Sequence, residues 1–400
     1  MPPNILWIVT TQWRAQACGY AGDRDARTPA MDALASQGVD FAQAVTPHPF
    51  GPFARAALLT GVPSPQNGIR DYFDPLPAGT RTVAHAMAER SYATAFFGKW
   101  HLSRRDPAAL LTGEDHARTV VPPEERGGFA FWEGFESGFL INNPWLHGTR
   151  LPEPVRFEGY QSDVVCARAG AYLRTLGGPW FAVVSLEAPH PPYGAPAASV
   201  APADPAGITL RGNVPGAAEA RARRELSGYY AHIEATDRSI GRLVDGLPRE
   251  THVVVTSVHG DMHGSHGLFR KGWPHEESIR VPLLMRVPGP ARRDARAISL
   301  IDLPAVAAAW ADGARGPAPL PPGDPGPPAR ISMPSVVALP DQCDRVWSGL
   351  RTPARKLVLN ADGKPWLFFD LERDPLETRN LAGDPARSGE ISALRGRAGG

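Results

Sequence analysis

Short apolar segments without helical period alternate with helical segments over most of this 400-residue chain, and this alternation restricts its fold more than any other feature. The first apolar segment, residues 4–9, ends in polar Thr10, Thr11 and Gln12. A strand that is apolar on both faces is typical of the buried parallel strands of a layered α/β sheet. The same pattern predicts further strands over 39–45, 92–98, 180–186, 252–258 and 281–287.

Helices are predicted between these strands from capping residues and amphipathic spacing. Thr28 and Pro29 are typical of a helix start, and Gly38 is typical of the residue that follows a helix end. Such patterns predict helices over 28–38, 80–90, 163–176, 219–247 and 301–311. Strands and helices in this order predict a doubly wound α/β fold, whose ligands bind beyond the carboxyl ends of the strands. We therefore expect the polar residues that follow each strand to lie close together.

The domain organisation is predicted from shifts in composition. Residues 1–312 carry the α/β pattern, residues 313–330 are crowded with Pro and indicate a linker or surface excursion, and residues 331–400 form a small C-terminal subdomain. Residues 104–160 are rich in Gly, Pro and aromatic residues, so we expect loops there that shape a substrate mouth. The aromatic residues of that region are Phe129, Phe131, Trp132, Phe135, Phe139 and Trp145.

Charge and hydropathy exclude several classes of partner. The net charge is +1, from 42 Lys and Arg against 41 Asp and Glu, which offers no electrostatic basis for binding nucleic acid or an anionic membrane. The sequence has neither an apolar run of membrane-spanning length nor an N-terminal leader pattern, so a cytoplasmic protein is expected. Nothing in the sequence indicates an oligomeric state.

A turn and short helix near residue 50 form a candidate anion site. Gly51-Pro52 is typical of a turn, and residues 54–60 are predicted to be helical and closed by Gly61. Arg55 would then lie beside first-turn amides, where both groups can face an anion. Between Thr46 and Thr60 there is no Ser, Thr or Cys, so this turn carries no hydroxyl or thiol nucleophile.

Several segments, in order and over nearly the whole chain, resemble the sulfatase family of the alkaline phosphatase superfamily. They are residues 4–12, 28–41, 55–61, 276–282 and 369–381, with Gly98-Lys99-Trp100-His101, Pro189-His190-Pro191-Pro192-Tyr193 and His259-Gly260-Asp261. The resemblance implies a mixed, mostly parallel sheet sandwiched by helices, with a small C-terminal α+β subdomain. It also implies a site at the carboxyl ends of the strands.

The chain departs from the family at the positions that carry its chemistry. Sulfatases bind a divalent cation, usually calcium, through Asp side chains, and they attack sulfur with a formylglycine made from Cys or Ser. By this resemblance, Thr11 and Val258 stand at the Asp positions and Gly51 stands at the nucleophile position. Calcium requires several charged oxygen ligands, so we expect neither a metal nor another cofactor.

Basic residues of the family's sulfate site persist in this chain. Arg55, Lys99, His101, His190 and Lys271 match positions that surround the sulfate in sulfatases, and Gln12 and His259 remain as neutral neighbours. Arg and Lys supply fixed positive charge, and His can donate a proton to a leaving oxygen. The resemblance therefore implies an anionic small-molecule substrate. His101 and His190 are the matched candidates for catalysis.

Three further histidines, His48, His263 and His275, have no counterpart in the family motifs. His48 is close in sequence to the position of the missing nucleophile, so it is a candidate base or nucleophile, against a surface or hydrogen-bonding role. His259, His263 and His266 also allow a zinc site, although the glycines between them do not favour a single helical face.

Three functions follow from this reading. The first is a divergent enzyme that holds a sulfate, phosphate, sulfonate or carboxylate group for metal-independent elimination, rearrangement or transfer. The second is an inactive pseudo-sulfatase that binds an anion or a partner protein. The third is a sulfuric or phosphoric ester hydrolase with substituted catalytic groups.

Overall fold

A ten-stranded mixed sheet runs through the computed structural model, which describes residues 2–316 and 327–398. Its strands are β1 (Ile5–Thr10), β2 (Val39–Phe41), β3 (Ala93–Lys99), β4 (Phe131–Phe135), β5 (Trp145–Gly148), β6 (Val155–Arg156), β7 (Trp180–Ser185), β8 (His252–Ser257), β9 (Leu283–Arg286) and β10 (Arg292–Asp294). The spatial order is β10-β2-β9-β8-β1-β7-β3-β4-β5-β6. The five central strands, β8 to β4, are parallel, so their carboxyl ends meet at one edge.

Helices cover both faces of this sheet, as the predicted α/β pattern requires. They are α1 (Pro29–Gln37), α2 (Gly51–Thr60), α3 (Val83–Ala88), α4 (Glu114–Ala117), α5 (Gln161–Leu173), α6 (Gly216–Asp245), α7 (Glu276–Ile279), α8 (Leu303–Ala311) and α9 (Ser388–Ala398). α1 and α5 pack on α6, and α2 and α3 pack on α8. Along β1, Ile5 and Trp7 join one apolar core while Leu6 and Ile8 join the other. This double burial explains why β1 is apolar throughout. No described helix has the length and apolar composition needed to cross a membrane.

A second, antiparallel sheet lies in the C-terminal part of the chain. Its strands, in spatial order, are β11 (Ala329–Met333), β12 (Trp347–Arg351), β13 (Arg355–Asn360) and β14 (Pro365–Asp370). One face contributes Ile331 and Phe369 to the core of the large sheet, and the other face packs Phe368 against Leu394 of α9. Of the predicted Pro-rich linker, residues 317–326 lie outside the described residues, and the domain boundaries remain a prediction.

The expectation of irregular loops over residues 104–160 is wrong in part. β4 pairs in parallel with β3, and β5 and β6 extend the sheet beyond it. β4 was not predicted because a charged residue, Glu133, lies in the middle of its apolar pattern. In the structure Arg150 and Arg168 form ion pairs with Glu133 and neutralise its charge. Most of the aromatic residues of this region are buried in the core, and Phe139 is the one of them that lines the cavity described below.

Candidate functional site

A cavity of about 340 Å³ lies at the carboxyl edge of the parallel strands. It is lined by residues that follow β1, β3, β7 and β8, by the start of α2 and by residues 339–342 between β11 and β12. The polar and charged residues of its lining are Thr11, Tyr72, Lys99, His101, Thr112, His190, His259, Arg270, Lys271, Asp341 and Gln342. The structure therefore brings together most of the residues that the sequence proposed for an anion site, as expected at this edge of the sheet.

Three buried cations, Arg55, Lys99 and Lys271, lie at this edge, and we call them the cation cluster. The Arg55 guanidinium spans the ends of β1, β3 and β7. It donates from Nη2 to Thr11 Oγ1 (2.7 Å), and from Nη1 to Ser185 Oγ (2.5 Å) and to the Lys99 carbonyl (3.3 Å). All these acceptors are neutral, so the charge of Arg55 has no directly bonded carboxylate.

Lys271 is also bonded to neutral groups. Its Nζ donates to Gln12 Oε1 at 2.6 Å and to His190 Nε2 at 2.9 Å. The Nδ1 of His190 lies 2.8 Å from the Pro191 carbonyl, so this nitrogen carries the proton and Nε2 is the acceptor. The His190 ring stacks on Phe139 with centroids 4.5 Å apart. Gln12 and His190 thus position the Lys271 ammonium.

Two carboxylates of the site were missed by the sequence reasoning. Glu187, the second residue after β7, forms an ion pair with Lys99 in which Nζ lies 2.7 Å from Oε1, and both side chains are at most 1% exposed. Asp261 was noted only as part of a motif. It accepts hydrogen bonds from Gln12 Nε2 and from Tyr193 Oη, the latter at 2.5 Å. The signal that could have found both is their position at the exits of predicted strands.

Burial lowers the pKa values of all three residues of the cation cluster. Desolvation lowers the pKa of Lys271 to about 7, with the nearby Lys99 adding to the shift. Desolvation likewise lowers the pKa of Lys99 to about 8, against the attraction of Glu187, and lowers the pKa of Arg55 to about 10. Arg270 and Asp341, of opposite charge, also line the cavity. Within the cation cluster only Lys99 is bonded to a carboxylate, so Arg55 and Lys271 would attract an anionic group in the cavity.

His101 lies against the start of α2. Its Nε2 is 2.8 Å from Nη1 of Arg105, and its Nδ1 has no partner among the described residues. A Cβ atom at Gly51 would approach this Nδ1 to 2.9 Å. Burial and the surrounding cations hold the pKa of His101 well below its usual range, so the ring is neutral.

His259 also lines the cavity, and its Nε2 is available as a hydrogen-bond acceptor. Its Nδ1 donates to the Gly260 carbonyl at 2.9 Å, and its Nε2 has no partner among the described residues. Desolvation and nearby Lys271 keep the pKa of His259 well below its usual range. In this neutral form Nε2 accepts hydrogen bonds, so His259 suits a hydroxyl or amine of a ligand better than a bare anionic oxygen.

The structure does not bring His48 into this cavity. The ring lines a separate cavity of about 410 Å³, mostly apolar. Its Nδ1 lies 3.1 Å from the Ser332 carbonyl of β11, and its Nε2 accepts from the Ser64 amide at 2.8 Å. With both nitrogens engaged and the pKa lowered to about 4 by burial, His48 connects β11 to the loop after α2. Of the two roles considered for His48, these contacts favour hydrogen bonding over that of a base or nucleophile.

The residues at the implied calcium positions do not fit a divalent cation. The Thr11 hydroxyl donates to the Leu186 carbonyl at 2.8 Å and accepts from Arg55. Val258 is fully buried in the apolar core. The amide oxygen of Gln12 is taken by Lys271, and Asp261 is surrounded by donors. Calcium needs six to eight oxygen ligands, including carboxylates, and this donor set does not supply them.

The zinc alternative is not supported by the positions of its histidines. Within the described ranges, His259, His263 and His266 do not form one group of converging ligands. His266 instead lies with Glu277 and Glu377, whose ligand atoms are all within 4.8 Å of one another. These carboxylates are bonded to Arg211 and Lys356, so cations of the protein already compensate their charge.

Known proteins that match this chain include sulfatases. A family model described as Sulfatase matches residues 3–314. The chain is 38% identical over 301 residues to an ulvan-active sulfatase of Formosa agariphila, covering 72% of this chain and 56% of that protein. It is 26% identical over 451 residues to a choline-sulfatase of Rhizobium meliloti, covering 96% and 83%. The chain thus matches little more than half the length of the first of these relatives.

Solved structures support the same fold. A protein in complex with its substrate D-glucosamine-2-N,6-O-disulfate superimposes with a TM-score of 0.82 at 20% identity, over 98% of this chain and 96% of that one. A phosphonate monoester hydrolase of Agrobacterium radiobacter superimposes with a TM-score of 0.76 at 21% identity, over 98% and 94%. At these identities the likeness concerns the fold alone. The match over residues 3–314 shows that the chain belongs to the sulfatase family.

Proposed function

We propose that the cavity binds the charged group of a small anionic substrate without a divalent cation, and that the chain supplies binding and proton transfer but no covalent nucleophile. The charged group is a sulfate, phosphate, sulfonate or carboxylate. The reactions that suit such a site are elimination, rearrangement or group transfer, since these need positioning and proton movement rather than attack by the protein.

One observation carries this proposal: cations of the protein occupy the polar groups at the end of β1. Thr11 Oγ1 is bonded to Arg55 and Gln12 Oε1 is bonded to Lys271. By the family resemblance Thr11 stands at a metal-binding position, and Gln12 is the next residue. A dication placed there would meet two like charges and no free carboxylate, which is strongly unfavourable in a buried site.

The absence of Ser and Cys from the described lining supports the second half of the proposal. No Ser or Cys is among the residues described as lining this cavity, and Gly51 stands at the start of α2. The Thr11 hydroxyl proton is directed to the Leu186 carbonyl, so this oxygen is not activated for attack.

Lys271 is the group best suited to move a proton. Its ammonium is held between Gln12 and His190, and its pKa, lowered to about 7 by burial, matches the range in which a general acid or base works well. Lys99, whose charge is paired with Glu187, is better suited to fixed attraction of the anion.

The remaining lining suggests the body of the substrate. Phe50, Tyr72, Phe139, Leu111 and Leu339 contribute apolar surface to the cavity. A planar or apolar group attached to the anion would bury against these side chains and gain about 25 cal/mol per Å² of apolar area.

The test uses metal-stripped protein and a panel of small sulfate, phosphate and sulfonate esters. We expect product by mass spectrometry in the presence of a chelator, reduced at least tenfold in Lys271→Met but not in His48→Gln. Hydrolysis that disappears with the chelator and returns with calcium would contradict the proposal.

A non-catalytic anion-binding protein is the second candidate. It is favoured by the position of His48, the proposed base, which faces a different cavity and has both ring nitrogens engaged. It is also favoured by Glu187 and Asp261, since each is bonded to donors of the protein. A ligand that binds tightly and is recovered unchanged after prolonged incubation would select this candidate over the enzyme.

A further inference from the structure

A second polar cavity, of about 360 Å³, lies apart from the one at the carboxyl edge of the sheet. It is lined by residues between 14 and 24 after β1, by residues 209–211 before α6, by Tyr230 of α6 and by Arg280 after α7. Within the described ranges the two cavities share no lining residue. We call this cavity the arginine pocket, since its charged lining residues are Arg14, Arg24, Arg211 and Arg280, against the single carboxylate of Asp23.

Arg14 brings to this pocket a buried charge without a bonded carboxylate. The residue is 2% exposed, and its Nε has no hydrogen-bond partner in the described part of the chain. Two carboxylates act on it electrostatically, those of Asp23 and Glu277. Asp23 accepts from the Tyr230 hydroxyl at 2.7 Å, and Glu277 accepts from Arg211 at 2.9 Å. Because other groups engage both carboxylates, an external anion would gain a favourable contact with Arg14.

Gln16 is a second buried polar group of the pocket that has no partner. It is 8% exposed, and neither its Nε2 nor its Oε1 has a hydrogen-bond partner among the described residues. Buried side-chain amides are nearly always bonded, because unpaired polar atoms lose their hydration without compensation. Gln16 therefore offers both a donor and an acceptor to a ligand. Hydroxyl groups match such a pair, since they donate and accept.

Arg280 and Arg24 add to the positive charge of the pocket. The Nε of Arg280 lies 3.8 Å from Oε2 of Glu276 and makes no hydrogen bond within the described ranges. Glu276 is closer to Arg351 and Lys356, at 3.1 and 3.2 Å, so it compensates Arg280 only in part. Arg24 is exposed. The carboxylates near the pocket thus leave a positive field that attracts an anion.

We propose that the arginine pocket is a second binding site, which takes a small hydroxylated anion. The guanidinium of Arg14 bonds to the charged oxygens of the ligand, and the amide of Gln16 bonds to the neighbouring hydroxyls. Hydroxy carboxylates and phosphate monoesters of polyols share this chemistry, and a cavity of this size holds a small molecule. The site goes beyond the proposed function, because it uses none of the residues of the first cavity.

The first test measures by isothermal titration, at constant ionic strength, whether the hydroxyls of a ligand matter. The probes are two pairs: D-glycerate with propionate, and glycerol 3-phosphate with inorganic phosphate. Without hydroxyls the ligand leaves Gln16 unpaired, so we expect the hydroxylated member of at least one pair to bind about tenfold more tightly or better. The pair that shows this preference identifies the charged group. No preference in either pair would overturn the site.

The second test locates the preferred probe with variants of the pocket. Gln16→Met keeps the length of the side chain without its amide, so the preference for the hydroxylated probe should fall to less than about twofold. Arg14→Met should weaken binding about tenfold or more, because it removes the charged donor. Circular dichroism and thermal unfolding show whether these two buried variants fold.

A matched pair of exposed arginines keeps the test independent of folding. Arg24 lines the pocket, whereas Arg27, three residues on, is also exposed and is not part of its lining. Arg24→Met should weaken binding of the preferred probe about threefold, and Arg27→Met should leave it unchanged. Equal effects of the two substitutions would contradict the location of the site.

The second site and the proposed function can fail separately. Lys271→Met, which alters only the first cavity, should leave binding of the preferred probe within about twofold. If this variant loses the probe while Arg14→Met and Gln16→Met retain it, the probe binds in the first cavity and the arginine pocket is overturned. If the probe binds as expected but sulfate and phosphate do not bind at Lys271, only the proposed function fails.

Discussion

Two buried charged regions of this protein differ in how their charges are balanced. In the cation cluster, Arg55 and Lys271 are bonded to neutral partners, and only Lys99 has a bonded carboxylate. Around α7, by contrast, each buried carboxylate is bonded to a cation. These pairs are Glu276 with Arg351 and Lys356, Glu277 with Arg211, and Glu377 with Lys356, and we call them the α7 network.

The pKa values reflect the difference. Burial lowers the pKa of Lys271 to about 7 because no bonded carboxylate compensates its charge. Burial alone would raise the pKa of Glu277, but Arg211 and a hydrogen bond from Asn213 lower it to about 2. Glu377 is an exception within the α7 network, since burial and the nearby Glu276 raise its pKa despite Lys356. Each of these carboxylates is nevertheless bonded to a cation of the protein, so the α7 network needs no ligand. The cation cluster is the region where an anion would complete the balance.

Breaking the α7 network should have the largest effect on stability. Lys356→Met leaves Glu276 and Glu377 buried without their ammonium, which should lower the free energy of unfolding by about 3–5 kcal/mol. Urea unfolding measures this change. The control is Lys364→Met, whose side chain is 78% exposed and pairs only with Asp362. A comparable loss in both variants would remove the distinction between the two regions.

Removing a cation from the cluster should instead affect binding. In Lys271→Met the sulfate dissociation constant should rise about 100-fold, which corresponds to about 2.7 kcal/mol. The free energy of unfolding should fall by less than half as much as in Lys356→Met. The variant loses two hydrogen bonds, but it also removes a charge whose burial is unfavourable, and the two effects partly cancel. Titration calorimetry and urea unfolding give the two quantities. Unchanged sulfate affinity would contradict the assigned role of the cluster.

The pH dependence sharpens the comparison further. Lys271 and Lys99 have folded-state pKa values of about 7 and about 8, below those of an unfolded lysine. Between these values and about pH 10 the unfolded chain binds more protons, so the stability of the free protein should rise with pH across this window. Sulfate affinity should fall in the same window, by about tenfold between roughly pH 7 and pH 9, because the ammonium groups lose their charge. Thermal unfolding with and without sulfate at each pH would reveal both trends, and a sulfate effect that grows with pH would contradict them.

Calcium should have the smallest effect. Neither region offers uncompensated carboxylates, so adding calcium or a chelator should change the free energy of unfolding by less than about 0.5 kcal/mol. A saturable stabilisation by calcium would place a metal site in one of the two regions. Repeating the titration with Glu277→Gln and with Gln12→Leu would then show which region binds it.

Much of the fold could be predicted from local pattern. The buried strands β1, β3, β7 and β8 and the helices α1, α5 and α6 follow from apolar runs and amphipathic spacing, and the structure confirms them. β4 was not predicted because Glu133 interrupts its apolar pattern. The ion pairs of Glu133 with Arg150 and Arg168, which make this charge tolerable in a buried strand, form only in the folded chain. In the C-terminal subdomain the sequence also predicts two strands, over 356–360 and 366–370, which the structure confirms as β13 and β14. β11 and β12 were not predicted because they carry little periodic signal.

Part of the candidate site could also be predicted. Lys99, His101, His190 and His259 follow strand ends, and the structure places all four on one cavity. The proximity of His48 to Gly51 in sequence was misleading, because the chain turns between them and Ser332 of a distant strand holds the ring. Glu187 and Asp261 also follow predicted strands, and they were overlooked because the family resemblance named neither of them among the residues of the sulfate site.

The sequence by itself determined the layered α/β fold, the family, the presence of Arg55, Lys99 and Lys271, and the glycine at residue 51. Only the tertiary structure decided the partners of these groups. Lys99 meets Glu187 across 88 residues, and Lys271 meets Gln12 across 259. The physical reason is that burial periodicity is a local property of the chain, whereas charge balance and histidine tautomers depend on atoms that only folding brings within hydrogen-bonding distance.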